Sequence, residues 1–331
     1  MRYMEAFHKG NSQREFHQRF RSQSAMEYLM TYGWAILIIA VVLAALFELG
    51  IFNPMTFAPK ASPGSCQVVR PEGAGTTNFI SLEGECQGEL PQYVFSSLTD
   101  SSTNGKYIVS SDPLSNIGTS TSAVTIVLWA NPASYNTTTS GFWQNNIFED
   151  FWAQQLVFGR NIRPGFPANT YVSCANFFAT LNGSNWINGP CTSPLPLNEW
   201  YFVAISGRDG VGLTLYVNGV AVNTSTSSSN SVVGNGGTNI EIGSYGSGQY
   251  SWIYEFVGRL ANIQVYNTTL SANNIKALYQ EGIGGAPIKI QNLIGWWPLN
   301  GNANDYSGNG NNGVPSGVTY TSNWYSGYSA P

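Results

Sequence analysis

The side chains able to do chemistry are few. Both histidines, His8 and His17, precede residue 23. Residues 23–331 therefore cannot build a Ser-His-Asp or Cys-His nucleophile or a histidine metal site. Glu149-Asp150, in "NNIFEDFWAQ", is the nearest approach to the paired carboxylates of glycoside hydrolysis. Adjacent strand residues point to opposite faces, so the pair fits that geometry poorly, and two exposed loop charges are the plainer reading. Asp305 is the only charge in "NGNANDYSGNGNNG". With Asn302, Asn304 and nearby carbonyls it offers hard oxygen ligands suited to Ca²⁺, although such Asn-Gly runs ordinarily make turns. Trp143, Trp152, Trp186 and Trp252 fall in or near Asn/Gly/Ser-rich segments, where an indole can stack on a sugar ring. Trp129, Trp200 and Trp296 lie in strand-like runs and read as core; Trp297 should face the other way from Trp296. Glycine clusters such as "GSYGSG" lack phosphate-loop spacing and the lysine, and read as turns.

The elements that position these residues are mostly strands. "AVTIVLWANP", "EWYFVAISG", "LTLYVNGVAV", "NIEIGSY" and "FVGRLANIQVYN" are β-branched or alternating. Asn218-Gly219 predicts a hairpin turn, since both tolerate positive φ. One helix is predicted late in the chain: Ser271 caps it, Ile275 and Leu278 form its apolar side, and Gly282 ends it. Charged residues are 10% and aromatics 14% of the chain, a composition suited to an extracellular β-rich protein.

The N-terminal region differs. Tyr28 to Phe47 is a run of 20 uncharged residues between Glu27 and Glu48. As a helix it would span about 30 Å, the thickness of a bilayer core. Residues 1–22 carry five basic side chains against two acidic ones, which by the positive-inside rule puts the leader in the cytoplasm and everything after Phe52 outside. An ordinary secretory signal would be cut beyond the apolar run, where only weak sites such as Ala58 and Ala61 occur.

The block Arg21-Ser22-Gln23-Ser24-Ala25-Met26-Glu27-Tyr28 resembles the class III signal peptide of archaeal type IV pilins. The resemblance implies a cut by a prepilin-type peptidase between Ser22 and Gln23, with the helix retained. It also implies that Glu27, the fifth mature residue, pairs with a neighbouring subunit's terminal amine during self-assembly into a filament. A helix N-terminus favours a carboxylate there, and an amine offsets its cost in an apolar bundle. The alternative is a partnerless residue at the membrane boundary. Removing residues 1–22 from totals of 14 basic and 18 acidic side chains leaves 9 and 16, a formal charge of −7. Such a chain should not bind nucleic acid through phosphate contacts.

The predicted outer side carries all four cysteines, Cys66, Cys86, Cys174 and Cys191. Their even number there favours disulfides. Three pairings are open; the local one, Cys66–Cys86 with Cys174–Cys191, closes the shortest loops. Glycosylation sequons begin at Asn136, Asn182, Asn223 and Asn267.

Trp200, Leu215-Tyr216-Val217-Asn218-Gly219, Ile242-Gly243, Gly258-Arg259-Leu260, Val265-Tyr266-Asn267, Leu270-Ser271 and Leu278-Tyr279 together resemble a laminin-G-like, concanavalin A-like jelly roll. The resemblance covers about 106–282. It implies a lectin-like fold and frequent Ca²⁺ binding, but Ala261-Asn262 replaces the acidic pair such domains often carry before this strand. "LIGWWPLNGNANDYSGNGNNGVPSGVTYT" resembles the family's opening segment, yet comes last. Circular permutation would seat it in its own domain; a truncated second repeat and a strand donated to a neighbour are the rivals.

The expected fold is mainly β: leader 1–22, hydrophobic transmembrane or assembly helix 23–52, linker 53–65, and a concanavalin A-like sandwich 66–331 that includes 293–321. The expected protein is not an enzyme. It sits in the cell membrane with its sandwich outside, as a pilin-like or adhesin protein that binds glycans. The alternatives are an anchored structural surface protein without filament assembly, and a carbohydrate-active enzyme.

Overall fold

The computed structural model describes residues 30, 32–45, 60–61, 66–86, 90–98, 106–111, 123–134, 145–150, 154–159, 176–180, 187–188, 195–226, 239–244 and 255–331. The chain divides into two units, Met1–Phe57 and Ala58–Pro331. In the first, helix α1 covers residues 32–45. Trp34, Ile36, Leu37, Ile38, Ile39, Val41, Val42 and Leu43 are all exposed, so the helix is apolar around its circumference. No described helix is long and apolar enough to cross a membrane. Ser22, Gln23 and Glu27 lie outside the described residues.

The second unit is built from strands. In chain order they are β1 (Lys60–Ala61), β2 (Cys66–Val69), β3 (Ser81–Gly84), β4 (Leu90–Pro91), β5 (Val94–Ser96), β6 (Tyr107–Ser111) and β7 (Ala123–Pro132). There follow β8 (Asn145–Asp150), β9 (Gln154–Gly159), β10 (Asn176–Thr180), β11 (Ile187–Asn188), β12 (Tyr201–Arg208), β13 (Gly212–Val217), β14 (Val220–Ser225), β15 (Asn239–Ile242) and β16 (Gly258–Tyr266). Helix α2 (Ala272–Gln280) precedes β17 (Leu293–Trp297), β18 (Val314–Ser316) and β19 (Thr319–Thr321).

Two sheets make the sandwich. The seven-stranded one runs β11-β10-β9-β8-β15-β6-β18; the eight-stranded one runs β14-β13-β12-β7-β16-β5-β19, with β17 also on β16. Between them lies one core that includes Phe95, Ile126, Leu128, Phe148, Phe158 and Trp297. Every residue of β7 is buried, as its mostly apolar sequence requires of a strand covered on both faces. The β13–β14 turn has Asn218 at φ 50° and Gly219 at φ 75°, the left-handed pair that matches hairpin twist. A Cβ on Gly219 would lie 3.0 Å from the Tyr279 ring, so this glycine also lets α2 pack closely. Ser271 Oγ accepts from the Asn274 N–H and caps α2, whose Ile275 and Leu278 are buried. Tyr279 stacks on Trp129 at 5.8 Å, and Tyr328 meets the same indole edge-on. Helix α2 and the C-terminal segment thereby cover the outer face of the eight-stranded sheet.

The C-terminal segment folds into its own domain. Strand β17 pairs with β16, β18 with β6 of the other sheet, and β19 with β5. Segment 293–321 thus pairs with strands of its own chain in both sheets. Trp297 fills the inter-sheet core, whereas Trp296, also buried, turns the other way and donates to Asn262 Oδ1 at 2.8 Å. Arg70 fastens this segment to the β2–β3 hairpin. Its guanidinium donates to the carbonyls of Ser307, Leu293, Ile290 and Thr76. Cys66 and Cys86 form a disulfide across the same hairpin, while Cys174 and Cys191 lie outside the described residues. Lys60–Ala61, in the stretch read as linker, pairs with β4.

Candidate functional site on the seven-stranded sheet

The outer face of the seven-stranded sheet carries a row of directly paired residues. Thr180 of β10 faces Gln155 of β9, which faces Glu149 of β8. Glu149 faces Glu241 of β15, which faces Val109 of β6, and Val109 faces Val314 of β18. Ile240, Ile242, Phe148 and Ile108 alternate with these positions and fill the core, so the row lies on the outer side. Glu149 is only 3% exposed and Glu241 9%. Two carboxylates at opposed positions normally repel each other. Burial of both in one row shows that they are not two solvated surface charges.

The register agrees with the expectation that Glu149 and Asp150, adjacent in one strand, do not form a pair. Glu149 shares its face with Glu241, from a different strand, and not with its chain neighbour Asp150. Asp150 pairs instead with Ile240, a core residue. Glu149 is buried and lies in a strand, so it is not an exposed loop charge. Opposed Cβ atoms in an antiparallel pair lie about 4.5–5.5 Å apart. At that spacing two carboxylates can together grip adjacent hydroxyls of a sugar, each accepting O–H hydrogen bonds.

Asp305 has a different task. Its Oδ1 accepts from the N–H groups of Trp296 (3.0 Å) and Ser307 (2.8 Å). Its Oδ2 accepts from Ser307 Oγ (2.9 Å) and the Asn311 N–H (2.9 Å). All of these donors belong to the C-terminal segment, so the carboxylate ties its turns together and also favours the charge on nearby Arg70. Asn302 Oδ1 accepts from the Asn304 N–H, and Asn302 Nδ2 donates to Tyr306 Oη. Four protein donors thus bind the Asp305 carboxylate and a fifth binds Asn302 Oδ1, and among the described residues no group of three or more His, Cys, Asp or Glu could hold a metal.

Where laminin-G-like domains often place an acidic pair, Asn262 anchors a neutral network. Tyr266 Oη donates to Gln264 Oε1 (2.6 Å), Gln264 Nε2 to Asn262 Oδ1 (3.0 Å), and Asn262 Nδ2 to the Gly285 carbonyl (2.7 Å). Asn262 sits at φ 50° beside a β-bulge, a conformation asparagine tolerates better than most residues. Between the sheets, Lys106 Nζ lies 4.0 Å from Glu255. Burial pushes the Glu255 carboxyl up to about 7, against the opposing pull of Lys106.

Trp143, Trp152, Trp186 and Trp252 lie outside the described residues. In sequence, Trp152 is central in the three-residue link from β8 to β9, Trp143 stands two residues before β8, and Trp186 immediately precedes β11. Glu241 was not singled out by the sequence. The available signal was its place between Ile240 and Ile242, which makes it the outward residue of a core strand.

The fold and the match of sequence agree on a class. Residues 102–276, just over half of the chain, match the Concanavalin A-like lectin/glucanases superfamily in its laminin G branch. The chain belongs to that family. Among solved structures it is similar to a proposed carbohydrate binding protein from Bacteroides ovatus, at 19% identity and a TM-score of 0.52. That match covers 73% of this chain, which spans 63% of the Bacteroides chain. The heptameric SAP-like pentraxin of Limulus polyphemus matches at 16% identity and a TM-score of 0.45, over 69% of this chain and 94% of its own. A Ruminococcus gnavus sialidase module, solved with α2,3-sialyllactose, matches at 15% identity and a TM-score of 0.36, over 51% and 91%. No curated protein matches the chain.

Proposed function

We propose that the protein is a carbohydrate-binding surface protein whose ligand lies across the outer face of the seven-stranded sheet. The observation that carries this reading is the buried pair Glu149 and Glu241, opposed on one ladder of a lectin-type sandwich. Their oxygens accept sugar hydroxyls, and Thr180 lies further along the same row. Trp143, Trp152 and Trp186, adjacent in sequence to strands of the same sheet, and Trp252 supply stacking surfaces in this proposal. The test is a titration of the full chain on an oligosaccharide array, with Glu149→Gln and Glu241→Gln variants. Binding that is unchanged in both variants would remove the row from the site.

The N-terminal unit is the anchor in this reading. Helix α1 has apolar side chains exposed around its circumference, which supports a lipid or helix-bundle environment. Cleavage between Ser22 and Gln23 by a prepilin-type peptidase, with Glu27 paired to a neighbour's amine, would make the protein a filament subunit. The sandwich would then stand outside the cell, stabilised by the Cys66–Cys86 disulfide and a proposed Cys174–Cys191 partner. N-terminal sequencing of the membrane-bound protein tests the route: a start at Gln23 supports it, and an intact Met1 contradicts it. Calcium has no part in this proposal, because the Asp305 carboxylate is already occupied by four donors.

A second reading is favoured by the same pair. Retaining glycosidases hold two carboxyl groups roughly 5–5.5 Å apart, close to the spacing expected of opposed residues in a ladder. In that reading one glutamate is the general acid and the other the nucleophile. Release of reducing sugar from a glucan, abolished in both Gln variants, would favour it over binding alone.

A further inference from the structure

The opposite sheet holds a second polar feature, independent of the Glu149–Glu241 row. On its outer face, Asn131 of β7 pairs with Arg259 of β16, and Arg259 pairs with Ser96 of β5. Trp129 and Ala261, also paired with each other, stand two residues along on the same face. Asn131 has no exposed surface, yet neither its Oδ1 nor its Nδ2 has a hydrogen-bond partner. The Nε of Arg259 is buried and unpartnered too.

Such groups are rare in folded proteins, because each forfeits its bonds to water. Nothing local compensates them. The Lys106–Glu255 ion pair does not include Arg259. Burial lowers the Arg259 guanidinium below its ordinary value, without an opposing charge.

The C-terminal segment roofs this part of the sheet. Trp324, fully buried, donates from Nε1 to the Pro91 carbonyl beside β5, and its own carbonyl accepts from Trp200 Nε1 at the start of β12. In the sheet order β12-β7-β16-β5, that span crosses β7 and β16. Arg259 is partly buried rather than sealed, so the feature reaches solvent along that side chain.

The unmet groups define their complement. Arg259 Nε and Asn131 Nδ2 need acceptors, one of them facing a positive charge, while Asn131 Oδ1 needs a donor. A carboxylate satisfies the first two, and a neighbouring hydroxyl satisfies the third. A buried water could satisfy the amide but would leave the guanidinium without a counter-charge. We propose that Asn131 and Arg259 form a binding site for a hydroxy-carboxylate, the group carried by sugar acids, beneath the Trp324 segment.

The experiment is thermal unfolding of the full chain, with glucuronate as probe and glucose and acetate as controls. Saturating glucuronate should raise Tm by about 3 °C. Glucose, which lacks the charge, and acetate, which lacks the hydroxyls, should do much less. The apparent affinity for glucuronate should fall about tenfold or more in Arg259→Gln and in Asn131→Leu. Arg259→Lys, which keeps the charge and alkyl packing, serves if the Gln variant does not fold, and should show a partial loss. No shift with glucuronate, an equal shift with acetate, or a shift unchanged in the Arg259 variants would overturn the proposal.

Discussion

Glu241 of β15 stands directly opposite Glu149 of β8 on the outer face of the seven-stranded sheet, and both are buried. Like charges directly opposed on a ladder destabilise it by up to about 1 kcal/mol. Glu241→Gln should therefore leave stability unchanged or raise it by about that amount in urea unfolding, while weakening oligosaccharide binding roughly tenfold. Loss of binding together with a large loss of stability would instead assign Glu241 a structural role.

Stability should depend on pH through Glu255. Its folded value of about 7 lies above the ordinary 4.5, so the folded state binds the extra proton between those values. Stability is then greatest below about pH 4.5 as far as this group is concerned, and declines as pH rises through 7. With allowance for partial exposure, the loss between pH 5 and pH 8 should be on the order of 1–2 kcal/mol. Urea titrations at the two pH values test this, and Glu255→Gln should flatten the difference.

The Arg70 staple makes a third prediction. Its guanidinium meets four backbone carbonyls, two of them in segment 293–321 and one, Ile290, just before it. Arg70→Ala should cost about 2–4 kcal/mol, and Arg70→Lys should recover little, since an ammonium cannot reproduce the planar fork. Proteolysis should then begin near 290–310, read by mass spectrometry.

Reduction supplies a fourth. The Cys66–Cys86 bond joins residues 20 apart, a closure worth about 3 kcal/mol in the chain-entropy account. A Cys66→Ser, Cys86→Ser chain should lose stability of that order and keep oligosaccharide affinity, because the hairpin does not contribute to the row. An equal loss of affinity would tie the hairpin to the site.

Local signals were readable from the chain, and long-range ones were not. Asn218-Gly219, the Ser271 cap and Gly282 each act within a few residues, and each stands in the expected conformation. The β-rich sandwich was likewise legible from alternation and turn spacing. The Glu149–Glu241 pair was hidden because it depends on β8 and β15 becoming neighbours in register, which no local pattern encodes. At Asp305 composition pointed to an ion site, and what it did not show is that N–H and O–H groups of the folded turn donate to the carboxylate. Trp324 could not be placed from its terminal position, although it is buried against Trp200, Tyr325 and Tyr328.

The most direct test is binding of the full chain to the oligosaccharide array, compared with the Glu149→Gln, Glu241→Gln double variant at equal folded concentration. The account predicts a defined set of bound glycans and at least a tenfold loss of affinity in the double variant, with its fold intact by circular dichroism. Unchanged affinity in that variant would contradict the assignment of the seven-stranded sheet as the ligand face.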